Sequence, residues 1–223
     1  MMRKYVNMAL LSASIVASSC GLDNRVAPES KVLGRVVYNG QQIGVRGTGE
    51  AVQLQFFQDG YQLRNPIPVY VGQDGTFEAK LADGQYKMVT RDNNGPWVNT
   101  RDTTVINLKG TANVDLQVTP LFNLSNVSIS LSGNSVNASF QVDQVTSGWN
   151  IDYAMILVSR TSFVDDVANI GRREIKGITA GTSRNESLDL SAISGTDGPL
   201  FARVGVRAAG KDQAIYSQVV KLR

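Results

Sequence analysis

From Lys31 to the C-terminus the chain keeps returning to one pattern: five to eight residues that alternate apolar and polar, then a turn built on Gly, Asn or Asp. A period of two puts successive side chains on opposite faces of a strand, so each segment can bury one face and wet the other. In the first half the pattern predicts strands over Lys31–Tyr38, Ala51–Phe57, Ile67–Val71, Thr76–Leu81, Gly84–Thr90, Thr103–Leu108 and Thr111–Val118. Between them lie Asn39-Gly40, Asp59-Gly60, Asp74-Gly75, Asp83-Gly84 and Asn94-Gly95-Pro96, dipeptides and tripeptides suited to tight reversals. This spacing predicts an antiparallel sandwich.

Pro120 ends the strand that runs through Gln117-Val118-Thr119, because proline has no N–H for the ladder, and it marks the expected domain boundary. Seven further strands are predicted beyond it, over Asn126–Leu131, Ser135–Val142, Ile151–Ser159, Arg173–Ile178, Glu186–Leu190, Leu200–Ala208 and Ala214–Leu222. Seven strands in about a hundred residues resemble a fibronectin type III or immunoglobulin-like sandwich. The expected fold class is therefore all-β, with two β-sandwich domains. Long amphipathic helices have no counterpart in the pattern. One short helix is predicted in Ser162–Ile170, where Phe163, Val167 and Ile170 fall at helical spacing.

The N-terminus reads differently. Arg3 and Lys4 precede an apolar run from Met8 to Ala17, and Ala17-Ser18-Ser19 forms a small-residue cleavage zone before Cys20, the layout of an export signal over residues 1–19. The run offers 10 residues, two of them serine, where a spanning helix needs roughly 20. An ordinary signal peptidase and the lipoprotein peptidase both fit the zone, and either leaves Cys20 first. The single cysteine of the chain stands at that point, which favours lipidation of its sulfur over a spectator thiol. A triacylated cysteine, carrying palmitate or a similar chain, anchors stably without a transmembrane helix. Gly21, where an Asp would favour inner-membrane retention, points to the outer membrane; the expected orientation there is the cell surface, with the periplasmic face as the other. Residues 20–30, with Pro28, form a polar tether.

Charge and composition then exclude several functions. The chain has 22 basic and 19 acidic residues, and loss of Arg3 and Lys4 with the signal brings the balance to 20 against 19, too even to suggest nucleic acid. Removing 19 residues from 223 leaves 204, enough for two domains. Histidine is absent and Cys20 has no second cysteine to pair with, so disulfides, Cys/His zinc sites and imidazole-activated nucleophiles are ruled out. No cofactor is expected, and the chain reads as a non-enzyme.

The segment Val71–Val89, "VGQDGTFEAKLADGQYKMV", resembles the core of the carboxypeptidase regulatory-like, or transthyretin-like, sandwich. Asp74, Gly75 and Phe77 match its Asp-Gly-x-Phe turn; Leu81, Gly84 and Tyr86 match its Leu-x-x-Gly-x-Tyr corner. Physical reasoning agrees, since the two glycines permit the backbone of tight hairpins and the two rings supply apolar area to an interior. A longer series, "CGLDN", "GRVVYNG", "VQLQFFQDGYQL", "DGTF", "DGQYK", "GPW", "VTP" and "ILVSRTSFV", is similar in order to a two-domain lipoprotein family, domain of unknown function 3823. That resemblance implies a transthyretin-like domain over 31–119, a fibronectin III/Ig-like domain over 120–223, and genomic company with SusC/SusD-type outer-membrane nutrient importers of the Bacteroidetes. Where the family often has an aromatic after Val-Thr-Pro, this chain has Leu121 and then Phe122, at the interdomain seam.

Candidate binding residues follow from side-chain chemistry. In "RDNNGPWVNTRD", Arg91–Asp102, an exposed Trp97 would stack on the apolar face of a sugar while Asp92, Asn93, Asn94 and Asn99 bond its hydroxyls; alternatively Trp97 plugs the end of the sandwich. Trp149 could join a ligand surface or cover the second core. Tyr61 and Tyr70 form a third aromatic group, with Tyr70 facing outward or half-buried in its sheet. Asp165-Asp166 and Asp92-Asn93-Asn94 lack the alternate spacing of a calcium loop, so turn and cap chemistry explains them better. Asp102-Thr103-Thr104 fits a short bacterial O-glycosylation pattern, whereas the Asn-x-Ser sequons at Asn123, Asn126, Asn137 and Asn185 are background. The expected partners are thus the outer membrane through lipid, an importer, and a glycan or peptide. A spacer with only protein partners is the second reading, and a hydrolase with two convergent carboxylates the third.

Overall fold

In the computed structural model, residues 27–60 and 65–223 are described; Cys20, the signal segment and Tyr61 lie outside them. The first domain contains β1 (Ser30–Tyr38), β2 (Gln41–Gln42), β3 (Gln53–Gln58), β4 (Ile67–Tyr70), β5 (Thr76–Leu81), β6 (Gly84–Thr90), β7 (Thr104–Leu108) and β8 (Thr111–Gln117). One sheet centres on β1, with β5 and β2 along one edge and β8 along the other; the second runs β4-β3-β6-β7. β8 lies parallel to β1, from Lys31 opposite Thr111 to Val37 opposite Gln117, which corrects the purely antiparallel expectation.

The two faces meet as the alternation requires. Val32, Val36, Phe77 and Ala79 come from one sheet, Leu54, Phe56, Tyr86, Met88 and Ile106 from the other, all buried. Phe56 and Phe77 pack edge to face, with centroids 6.4 Å apart at 81°. Tyr86 closes its corner by donating its hydroxyl proton to the carbonyl of Ala82 at 2.9 Å. Gly75 has φ +90° and approaches the Ile43 carbonyl so closely that a Cβ would lie 2.1 Å from its oxygen, so only glycine serves in that turn.

The second domain contains β9 (Phe122–Ser132), β10 (Ser135–Gln144), β11 (Ile151–Ser159), β12 (Gly171–Ile175), β13 (Ser183–Asp189), β14 (Phe201–Ala208), β15 (Ala214–Tyr216) and β16 (Val220–Lys221). Its sheets run β13-β10-β9 and β12-β11-β14-β15, with β16 also paired to β14. β9 starts four residues before its predicted onset and crosses a bulge at Asn126, which takes φ +52°. The predicted last strand is interrupted between Tyr216 and Val220. Among the described residues there is no helix long and apolar enough to cross a membrane.

The short helix expected over Ser162–Ile170 does not form. Phe163 and Val167 stay exposed, while Val164 and Asp165 are buried. The segment is an irregular loop that Asp165 organises, as described below.

Strand register fixes which end of the first sandwich faces which way. Ser30 pairs with Leu81 and Gly84 with Leu108, so the chain enters β1 at the pole of the Ala82–Gly84 and Lys109–Gly110 turns. Ser30, Asp83 and the Gly110 N–H are hydrogen-bonded together there. The opposite pole, with Gly44–Thr48, Gln73 and the Trp97 loop, meets the second domain.

Candidate functional site

A concave feature that combines an aromatic ring with unengaged polar groups lies on the outer face of the β1-β5-β8 sheet. Alternation along β4 buries Val69 and turns Tyr70 outward, 39% exposed; on β1 it turns out Leu33, 36% exposed, and Arg35. Tyr70 and Leu33 both line one groove of about 640 Å³, together with Arg35, Glu78, Asn113 and Asp115. Exposed apolar side chains gathered around a concavity are a recognised mark of a binding surface.

The polar side of the groove is set by β-register. Arg35 and Asp115 are opposite one another on β1 and β8, and the guanidinium donates from Nε at 2.9 Å and from Nη2 at 2.6 Å to the two carboxylate oxygens. The bidentate hydrogen bond and the charge of Arg35 hold the Asp115 carboxyl below its ordinary pKa, so it stays ionised. Glu78 is paired with Lys31 at 3.0 Å. Asn113 keeps its side-chain amide free, and so does Tyr70 its hydroxyl. The groove can therefore offer an apolar ring, a fixed planar donor–acceptor pair and a free amide to a ligand.

The Trp97 loop is built for a different purpose. Trp97 is 1% exposed, which favours the plug over the sugar platform. Its backbone bridges Pro120; Val98 N–H donates to Thr119 O at 2.9 Å, and Leu121 N–H donates to Pro96 O at 3.1 Å. Trp97, Leu121 and Phe122 share one continuous core that joins the two domains. The amides around it are spent on the loop: Asn94 accepts from Gln53 N–H at 2.5 Å and donates to Ala51 O at 2.7 Å. Asn99 accepts from Asn93 N–H and donates to Asn93 Oδ1, both at 2.9 Å. Asp92 alone of this set faces solvent without such a task, in a separate groove of about 410 Å³ beside Phe57, Arg91 and Arg101. Trp149 is half-buried against the second core, with Lys211 Nζ 5.0 Å from its ring centroid and 3.5 Å from Asn93 Oδ1. Trp149 and Asn93 thus meet through Lys211, while Tyr70 lies in the sheet-face groove away from them.

Asp165 serves as a clamp between the domains. Its carboxylate accepts from the N–H groups of Gly47, Thr48, Val167 and Ala168 at 2.7–3.2 Å, and from the Thr48 hydroxyl at 3.0 Å. Burial works to raise its pKa, but the bonds from Ala168, Thr48 and Val167 outweigh it and hold the group below the usual carboxylate range. All of its lone pairs are used by protein donors, which suits a structural role better than a cation. Next to it Asp166 accepts the Tyr216 hydroxyl at 2.8 Å and faces Arg46 at 3.4 Å. Burial and the neighbouring Asp166 raise the Tyr216 pKa, so this phenol remains protonated. Among the described residues no group of three His, Cys, Asp or Glu could hold a metal.

Leu33, Arg35, Asn113 and Asp115 escape a reading of the sequence in isolation. Their outward orientation is legible in the alternation of β1 and β8, but their convergence depends on a parallel pairing of strands 80 residues apart.

Models of two domain families match the chain: "Protein of unknown function (DUF3823) N-terminal domain" over residues 30–119 and "Domain of unknown function (DUF3823_C)" over residues 122–221. A crystal structure of a DUF3823 family protein from Parabacteroides merdae is 50% identical, covers 89% of this chain and 100% of its own, and superposes with a TM-score of 0.84. A second, from Bacteroides ovatus, is 28% identical over 86% of this chain and 98% of its own, with a TM-score of 0.78. A Bacteroides uniformis structure described as a "putative carbohydrate binding protein" shares the fold, at 14% identity, 88% and 99% coverage and a TM-score of 0.72. No curated protein matches the chain at a significant level.

Proposed function

Because this chain belongs to the DUF3823 family through both of its domains, we propose that it is a non-catalytic outer-membrane lipoprotein that binds carbohydrate in the Tyr70 groove and serves a SusC/SusD-type nutrient importer. One observation carries the ligand class: an exposed tyrosine ring borders a groove whose polar wall is the planar Arg35–Asp115 pair with Asn113 beside it. Sugar rings have apolar C–H faces that stack on aromatic rings and hydroxyls that both donate and accept, and this lining supplies partners for each. The ligand class agrees with the description given to the Bacteroides uniformis protein, whose likeness bears on the fold alone.

The anchor reading rests on Cys20 and on the polarity of the first sandwich. The chain enters β1 at the pole of Ser30 and Gly110, opposite the pole that meets the second domain, and the Tyr70 groove lies on the flank of the first sandwich.

Affinity electrophoresis against a panel of plant and host polysaccharides tests the binding. Wild-type protein should be retarded by at least one of them, and Tyr70→Ala should weaken that retardation; retardation by every polysaccharide that is unchanged in Tyr70→Ala would move the site elsewhere. Palmitate labelling of wild type and Cys20→Ala tests the anchor.

A spacer that touches only protein partners is the second reading, and the clamp around Asp165 favours it, since three donors from Gly47 and Thr48 of the first sandwich hold one carboxylate of the second and stiffen the join. Crosslinking that captures an importer equally well with and without polysaccharide would support it.

A further inference from the structure

A second groove, of about 460 Å³, follows the seam between the two sandwiches. Its walls come from both: Gln41 from β2 of the first domain, Asn123 from β9 and Gln218 from the segment between β15 and β16 of the second. The side-chain amides of all three are unengaged. Leu124, Val127 and Ile215 are among the aliphatic side chains that line it, and no charged residue does. The walls are held in register where Tyr216 N–H donates to Gly44 O at 2.9 Å, pairing the two domains strand to strand.

We propose that this seam is a second binding site, for a neutral oligosaccharide. The inference stands independently of the Tyr70 groove, whose lining residues all belong to the first sandwich. A primary amide donates and accepts at once, as a sugar hydroxyl does, so three free amides from two domains can satisfy a set of hydroxyls from both sides. The aliphatic lining matches the C–H faces of pyranose rings. Lack of any charge on the walls selects against uronates and sulfated glycans, which would be desolvated without a counter-ion. The volume lies within the range of small-ligand sites, roughly 300–1,000 Å³, and domain junctions are a common place for them.

The test uses the Tyr70→Ala protein, so that the first groove is silent. Its side-chain amide resonances are followed by NMR during titration with maltohexaose, cellohexaose, xylohexaose and mannohexaose, with hexagalacturonate and an uncharged hexapeptide as controls. At least one neutral hexasaccharide should shift the amide signals of Gln41, Asn123 and Gln218. The further substitutions Asn123→Ala and Gln218→Ala should weaken that binding about tenfold with no change in thermal stability. Silence of these amides toward all four neutral sugars overturns the proposal, as does unchanged affinity in the substituted protein or a response to the peptide or hexagalacturonate alone. The two sites fail separately: wild-type binding that Tyr70→Ala removes, with silent seam amides, leaves the first groove standing and removes this one.

Discussion

Arg203 of the second sandwich donates from Nη2 to the backbone carbonyl of Val45 in the first, at 2.6 Å. Nη1 reaches Gln73 O at 3.3 Å, and the guanidinium lies 3.9 Å from the centroid of the Tyr216 ring. Burial pulls its pKa down to about 10, with Tyr216, Asp165 and Asp166 working the other way, so it stays charged in neutral solution. Removing the guanidinium leaves the Val45 and Gln73 carbonyls without their donor. Arg203→Ala should lower stability by about 1–3 kcal/mol for each carbonyl left unpaired. It should also split urea unfolding into two transitions, followed by circular dichroism, as the sandwiches uncouple. One unshifted transition would show that the domains are joined by other means.

The Asp165 clamp predicts an acid limit. A carboxylate whose folded pKa lies below its unfolded value of about 3.9 contributes its full stability above that value. The contribution declines as pH falls through the folded pKa. Urea midpoints should therefore be level from pH 7 to about pH 5 as far as this group is concerned, and drop toward pH 3. Asp165→Asn turns one acceptor into a donor facing backbone N–H groups, and should cost about 2 kcal/mol at pH 7 while flattening the acid slope. A slope as steep as that of wild type would assign the acid loss to other carboxylates.

Much of the fold is legible residue by residue, because alternation and turn chemistry are local. Gly75 and Phe77 announce their hairpin, and β5 and β6 fall where the pattern sets them. The site is less legible because its determinants are distant in sequence. Asp165 sits within an apolar spacing that fits a helix, but its partners Gly47 and Thr48 are over a hundred residues away and draw the segment into a loop. Trp97 is surrounded by polar residues, as an exposed indole would be; the seam at Pro120 turns it inward. Arg35 and Asp115 each look like ordinary solvated strand residues until β8 is laid parallel to β1.

Burial of Trp97 changes what its substitution should do. Trp97→Ala empties a large volume where the two cores join, and about 3–5 kcal/mol of stability should be lost. Trp97→Phe should be milder, since the indole Nε1 is buried with no protein partner and its removal relieves an unsatisfied donor. Carbohydrate binding at Tyr70 should persist in Trp97→Phe. Emission spectra provide a check: the signal lost in Trp97→Phe should be blue-shifted relative to the Trp149 emission that remains.

Gly34 and Phe77 are register partners on β1 and β5, and the phenyl ring occupies the space a Gly34 side chain would need. A Cβ on Gly34 would lie 2.0 Å from the ring's Cζ, with no positive φ involved, so the conflict is purely steric. Gly34 and Phe77 also line the Tyr70 groove. Gly34→Ala must push the ring toward Phe56 or spread β1 from β5, at about 1–3 kcal/mol. Tyr70→Ala, by contrast, removes a side chain at the groove's edge and should leave the urea midpoint within about 0.5 kcal/mol of wild type. Measured side by side, Gly34→Ala should lose stability together with affinity and Tyr70→Ala affinity alone; equal loss of stability in both would make Tyr70 a packing residue.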